Sequence, residues 1–390
     1  VASLFSGMKV GEIPVYLEMV PPWQSVLLIG PPGVGKSRAV REFAEAEAAA
    51  LGREFVDYDD DDETYIRVTK DPEKYYVFLD LRLSECEPTD FLGVPRDVDH
   101  YIVYKPLRWV HVFSLQKVAG TFFLDELTNV RREDILAQAY KLVLDRRAGY
   151  KKFSQNVRVI AAGNDPESSA IVNLLPAPLT NRFTVFTVEA PTVEEWIEYV
   201  NMHEGGVDPR IAGYLLRFRE DLIHKAETET LQNFPTPRSW SRLNEKIKGR
   251  KNLPEKVLYN LAQADVGPVV ASKFAAFCRI GEILPEPGKI LEDPDVLDSV
   301  ISRAKERDIM TTDVLYYAVA TVAKEVEEKD ATPAKVARFF RKLLQLEKGE
   351  FLMVFLMTLS PKKRIAIIQS EELYSETTLR EFVKKVAAHL

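Results

Sequence analysis

Gly30-Pro-Pro-Gly-Val-Gly-Lys-Ser37 follows the apolar run Ser25-Val-Leu-Leu-Ile29 and precedes a helical pattern from Arg38 to Leu51. Strand, glycine-rich loop, helix is the order that a phosphate-binding loop requires. Glycines at 30, 33 and 35 let the backbone bend so that successive N–H groups point inward around an anion. The positive end of the following helix adds to this cradle. In such a loop Lys36 reaches the β- and γ-phosphates of a nucleoside triphosphate, and Ser37 offers its hydroxyl to Mg2+. The expected nucleotide contacts are Gly30, Pro31, Pro32, Gly33, Val34, Gly35, Lys36, Ser37 and Arg38. A chance Gly/Pro turn is the alternative, and it would need strand and helix both to fall in register by accident.

The chain has 390 residues, 46% hydrophobic and 28% charged. That length accommodates two or three domains with sizeable cores. The longest apolar run, Phe351-Leu-Met-Val-Phe-Leu-Met357, falls far short of the roughly 20 residues a membrane span needs; a buried helix is the better reading. The N-terminal stretch carries no basic region, apolar block and cleavage site in succession, so export is not expected. Cys86 and Cys278 are far apart and form no ligand cluster, which suits reduced thiols and a cytoplasmic location. A net charge of −7 supplies no global attraction for nucleic acid.

Strand-like segments recur between helical ones in the first half: Val26–Ile29, Tyr76–Leu81, Thr121–Leu124, Val157–Ala161 and Phe183–Val188. Short β-branched and aromatic runs alternating with helices predict a parallel five-stranded sheet covered on both faces. From Thr192 onward helical periodicity takes over. Pro285-Glu-Pro-Gly288 and Asp293-Pro294 read as a linker, with further helices around 296–307, 312–327, 333–346 and 379–388. The expected division is an α/β subdomain over 1–190, a helical subdomain over 191–267 and an all-α region over 268–390. The acidic run Asp57 to Glu63 reads as a solvated loop. It lacks the ligand spacing and glycine of an EF-hand, although clustered carboxylates can bind hard cations.

Phe122-Phe-Leu-Asp125-Glu126 sets two carboxylates at the C-terminal end of an apolar strand, where α/β sheets place ligand chemistry. Downstream of a phosphate-binding loop, Asp125 is the expected Mg2+ partner beside Ser37. Glu126 is the expected base that orients and deprotonates an attacking water.

Together these motifs resemble the AAA+ ATPases, and further residues narrow the resemblance to the MoxR type. Val159-Ile-Ala-Ala-Gly-Asn164 is similar to the sensor-1 strand, Leu179-Thr-Asn-Arg182-Phe183 to the arginine-finger motif, and Thr236-Pro-Arg238-Ser-Trp240 to the sensor-2 motif. Pro88-Thr-Asp-Phe-Leu-Gly-Val-Pro95, Glu194-Glu-Trp196 and Asp208-Pro-Arg-Ile-Ala-Gly-Tyr-Leu215 point the same way.

The resemblance implies an α/β AAA+ P-loop NTPase core, a helical lid and an all-α C-terminal region. It also implies ATP and Mg2+ as cofactors and catalytic roles for Lys36, Glu126, Asn164, Arg182 and Arg238. Asn164 would position the hydrolytic water or γ-phosphate. Arg182 would serve the ATP of a neighbour in a ring, a homohexamer, and Arg238 would couple the lid to nucleotide state. Taken alone, Asn164 before Asp165-Pro166 also suits a turn, and Arg182 a surface ion pair. Arg131 and Arg132 are secondary candidates for a subunit boundary.

The resemblance further implies remodelling of a protein client, with a von Willebrand factor A domain protein as partner. The family carries an insert near Gly93–Phe113, so Tyr101, Tyr104, Lys105 and Trp109 are candidates to touch the client; packing onto their own domain is the alternative. A nucleic-acid motor on the same core is the rival reading. Lys246-Ile-Lys-Gly-Arg-Lys251 and Lys362-Lys-Arg364 could meet phosphates, but the acidic total and the lack of a nucleic-acid module weigh against it.

Overall fold

The computed structural model describes residues 7–130, 132–165, 175–225, 232–329, 332–346 and 349–370. The chain divides into two compact units, one within Val1–Ala190 and the other beginning at Pro191.

Among its described residues the first unit contains ten strands: β1 Val26–Ile29, β2 Glu54–Asp57, β3 Tyr75–Arg82, β4 Val94–Val98, β5 Tyr101–Lys105, β6 Ala119–Asp125, β7 Arg147–Ala148, β8 Lys151–Lys152, β9 Val157–Gly163 and β10 Thr184–Thr187. Six of them form one parallel sheet in the order β10-β1-β9-β6-β3-β2. The parallel sheet was expected with five strands; β2 is the sixth. Its sequence, Glu54-Phe-Val-Asp57, has a charge at each end and only Val56 buried. It lies at the sheet edge, where pairing with β3 in register Glu54↔Tyr75 defines the strand more than burial does.

Central strands show the opposite pattern. All seven residues of β9 are buried, and all but Arg158 are apolar or glycine, as a strand covered on both faces needs. Its buried Arg158 pairs with Glu47 at 2.7 Å, which ties the strand to the helix Lys36–Ala50. The acidic run 57–63 is not wholly a loop. Asp57 ends β2 and pairs with Arg41 at 2.5 Å. Asp61 caps the helix Asp62–Lys70 by accepting from Thr64 N at 2.8 Å.

The second unit is helical. Buried residues from Val193 to Ile367 form one hydrophobic cluster, with Tyr214, Trp240 and Phe274 among its largest fully buried side chains. Phe351-Leu-Met-Val-Phe-Leu-Met357 lies in the helix Glu350–Thr358 and is buried at all but Met353. The stretch read as a linker is not one. Pro287–Glu292 is a short helix that buries Ile290 and Leu291 in the shared core, so Pro287 starts a helix and does not separate domains. The helix expected over 379–388 lies outside the described residues. No described helix is long and apolar enough to cross a membrane.

Candidate nucleotide-binding site

Strand order brings the motifs together. β9 lies between β1 and β6, so the loop after β1, the residue after β9 and the acid pair ending β6 share one sheet edge. This C-terminal edge is where such sheets bind ligands.

The loop is fitted closely to its neighbours. Gly30 N donates to Gly163 O at 3.3 Å, and a Cβ on Gly30 would lie 2.3 Å from the Val188 carbonyl oxygen. Gly33 and Gly35 adopt φ of 72° and 106°, a region that L side chains resist. Lys36 opens the helix Lys36–Ala50 and is buried. Its Nζ donates to Gly30 O and Pro31 O, both at 2.8 Å, so the ammonium spans the loop it is expected to serve. Arg38 is exposed and pairs with Glu42 at 2.9 Å, an i,i+4 contact of small energetic consequence.

Ser37 Oγ donates to Asp125 Oδ2 at 2.8 Å. This bond joins the two motifs across 88 residues of chain. Asp125 Oδ1 accepts from Glu126 N at 2.9 Å. Glu126 itself is exposed and sits at φ 56°, a left-handed conformation that costs a non-glycine residue about 1–2 kcal/mol. The turn Leu127–Asn129 follows at once, with Asn129 N donating to Glu126 O at 2.9 Å.

Asn164 is half-buried at the end of β9, and its backbone N donates to Thr128 Oγ1 at 2.8 Å. The same threonine sits where a Cβ on Gly163 would lie 2.5 Å from Thr128 Cγ2. Thr128 thus fixes Asn164 against the acid-pair turn, a role the sequence reading missed. Its one signal was a hydroxyl residue two places after Glu126. Asp80 was missed as well: partial burial, with Asp125 nearby, pushes its carboxyl up to about 6.

Arg182 is exposed, with its guanidinium 5.8 Å from the centre of the Tyr140 ring. Arg238 belongs to the helical unit and is exposed between buried Pro237 and Ser239. A capping box holds that helix start: Thr236 Oγ1 accepts from Ser239 N at 3.1 Å, and Ser239 Oγ accepts from Thr236 N at 2.8 Å. Arg131 lies outside the described residues, whereas Arg132 pairs with Glu87 at 2.7 Å and Asp134 at 2.8 Å.

The insert is an antiparallel hairpin, β4 with β5, and all ten of its strand residues are exposed. Tyr101, Tyr104 and Lys105 lie on it. Trp109 does not: it is buried and stacks on Phe122 at 5.2 Å, with Phe91 edge-on at 5.9 Å. The expectation that Trp109 touches a client is therefore corrected; apolar packing under the sheet claims it.

The donor set fits a nucleotide with its divalent cation. A glycine cradle, a buried lysine, a hydroxyl and a carboxylate within hydrogen-bond distance of each other are the groups that phosphates and a hard cation require.

No curated protein matches the sequence. The solved structures similar to this chain at low identity include the following. Cdc6p from Pyrobaculum aerophilum is 13% identical, with 96% of this chain and 92% of that one covered and a TM-score of 0.38. NtrX from Brucella abortus is 17% identical, with 88% and 69% covered and a TM-score of 0.34. C. elegans PCH-2 is 11% identical, with 81% and 65% covered and a TM-score of 0.26. Residues 26–188 match the family model "ATPase family associated with various cellular activities (AAA)", and this segment, which holds the loop, the acid pair and Asn164, has the fold of an AAA+ P-loop core.

Proposed function

We propose that the chain is an Mg-ATP-dependent hydrolase of the MoxR type, working as a homohexameric ring that remodels protein clients. The observation that carries the reading is the Ser37–Asp125 hydrogen bond of 2.8 Å beside an exposed Glu126. Lys36 would trade its loop carbonyls for β- and γ-phosphate oxygens. Ser37 and Asp125 would hold Mg2+, which when bound neutralises phosphate charge. Glu126 would take a proton from the attacking water, with Asn164 holding that water in line. Arg182, exposed at the domain surface, would reach the ATP of a neighbouring copy and stabilise the charge on the transferring phosphoryl group. Arg238 would sense the γ-phosphate from the helical unit, with residues 191–267 acting as a lid and 268–390 as its extension. The exposed hairpin β4–β5, through Tyr101, Tyr104 and Lys105, is the proposed client contact, and a von Willebrand factor A domain protein the proposed partner.

Arg182→Ala tests the ring. Turnover should be lost with ATP binding intact, and mixing with Lys36→Ala protein should restore part of it, because each variant supplies what the other lacks. An Arg182→Ala protein that turns over ATP at the wild-type rate would exclude the shared site. Turnover stimulated by DNA with a steep salt dependence would favour the nucleic-acid motor instead.

A further inference from the structure

Within the helical unit lies a second cavity, of about 540 Å3, a volume typical of small-molecule sites. Its walls are the turns at Gly205, Gly249 and Pro285 and one face of the helix Thr311–Lys329. Gly205 and Gly206 take φ of 71° and 100°. A Cβ on Gly205 would lie 3.3 Å from Lys248 Nζ, and one on Gly206 3.4 Å from Lys324 Nζ. Two ammonium groups therefore rest over one side-chain-free turn. Lys248 gives a hydrogen bond to Glu204 O at 2.6 Å, which leaves further N–H groups to offer. Lys324 pairs only loosely, with Glu328 at 3.9 Å.

The loop that brings Lys248, Arg250 and Lys251 to this wall is fixed from beneath. Arg210 is 9% exposed and is held by Asp208 through Nε–Oδ1 at 2.8 Å and Nη2–Oδ2 at 2.9 Å. Its Nη2 also donates to Ile247 O and Arg250 O, at 2.9 and 3.2 Å. Arg210 thus spends its charge on Asp208 and its geometry on the loop. Glu286, Glu325 and Glu328 also line the cavity, the last two on the helix that carries Lys324; Glu325 is engaged by Lys329 at 2.8 Å.

We propose that this cavity binds a small phosphomonoester bearing hydroxyl groups, a sugar phosphate in chemical class. The phosphate dianion sits among Lys248, Lys324 and Arg250, where it relieves the repulsion between like charges. The glutamates lining the cavity accept hydroxyl hydrogens, and their negative charge turns away extended polyanions such as nucleic acid. The site lies wholly within the helical unit and does not depend on the ATPase reading.

The test is calorimetric titration of ribose 5-phosphate into full-length Lys36→Ala protein, which removes the lysine of the nucleotide loop; wild type saturated with ADP replaces it if that variant melts early. Saturable binding that weakens with salt is expected. Lys248→Met/Lys324→Met should lower affinity about tenfold or more, the effect of losing charge-assisted hydrogen bonds. Arg250→Ala/Lys251→Ala, at exposed positions, should lower it less and leave the fold intact. Ribose without phosphate should give no binding, and inorganic phosphate weaker binding. Absence of saturable binding, or affinity unchanged in both double variants, would overturn the site. Inorganic phosphate binding as tightly as the sugar phosphate would overturn its class.

Discussion

The two units keep their carboxylates in opposite places. At the sheet edge, Asp125 is half-buried and Glu126 exposed; the acid pair faces outward with one short bond to Ser37. In the helical unit Asp221 is fully buried. It accepts from Tyr214 Oη at 2.6 Å and from Lys273 Nζ at 3.3 Å, and it faces His224 Nε2 at 2.9 Å. Its backbone oxygen accepts from Trp240 Nε1 at 2.9 Å. A carboxylate that is to act on a ligand must keep lone pairs available. One that organises helices must give them all away. The first unit is thus arranged for chemistry at its rim, the second for cohesion at its centre.

That contrast is broken or sharpened most strongly at Lys36. Lys36→Ala should lower ATP turnover about 1000-fold or more, because it removes a charge aimed at the transferring phosphoryl group; a steady-state phosphate-release assay measures it. Its effect on the urea midpoint should be far smaller. Asp221→Ala should show the reverse, a loss of about 1–3 kcal/mol, since the buried Tyr214 hydroxyl would lose its acceptor. Equilibrium urea unfolding checks this, and ATP-analogue affinity should be kept wherever the protein is folded.

Within the α/β unit, Trp109→Ala should cost about 3–5 kcal/mol for a buried aromatic removed. Tyr101→Ala on the exposed hairpin should stay within about 0.5 kcal/mol. Parallel melts of the two variants compare them directly. The smallest effect is expected at Asp80. Its pKa in the folded chain, about 6, stands above the usual carboxylate value of 3.8. The folded state therefore holds its proton longer than the unfolded state does, and stability falls as pH rises from about 4 to 6. Asp80→Asn should consequently be the more stable protein above pH 6, with the gap closing toward pH 4. Solvent reaches this carboxyl, so the difference is small. Urea midpoints across that range, without nucleotide or metal, read it.

Legibility followed the same division. Gly30 to Ser37 could be read because every group in the loop comes from one short segment, and the pattern of strand, glycines and helix is local. Asp125-Glu126 and Asn164 could be read as strand ends because β6 and β9 are buried apolar runs. β2 could not be, since its charged ends look like loop and only pairing with β3 makes it a strand. Trp109 was misplaced because an aromatic in an exposed-looking insert reads as surface until Phe91 and Phe122 are seen to enclose it. Asp221 gave no signal at all. Its partners at 214, 224, 240 and 273 are assembled by helix packing, which no local pattern encodes. The linker reading failed likewise, because Pro287 starts a helix whose burial depends on distant residues.

Glu126→Gln is the direct test of the proposed ATP hydrolysis by the acid pair beside Ser37. ATP turnover and ATP binding should be measured side by side on the variant and the wild type. Turnover should fall about 100-fold or more with binding kept, since Gln retains the shape and loses only the base. A Glu126→Gln protein that hydrolyses ATP at the wild-type rate would contradict the proposal.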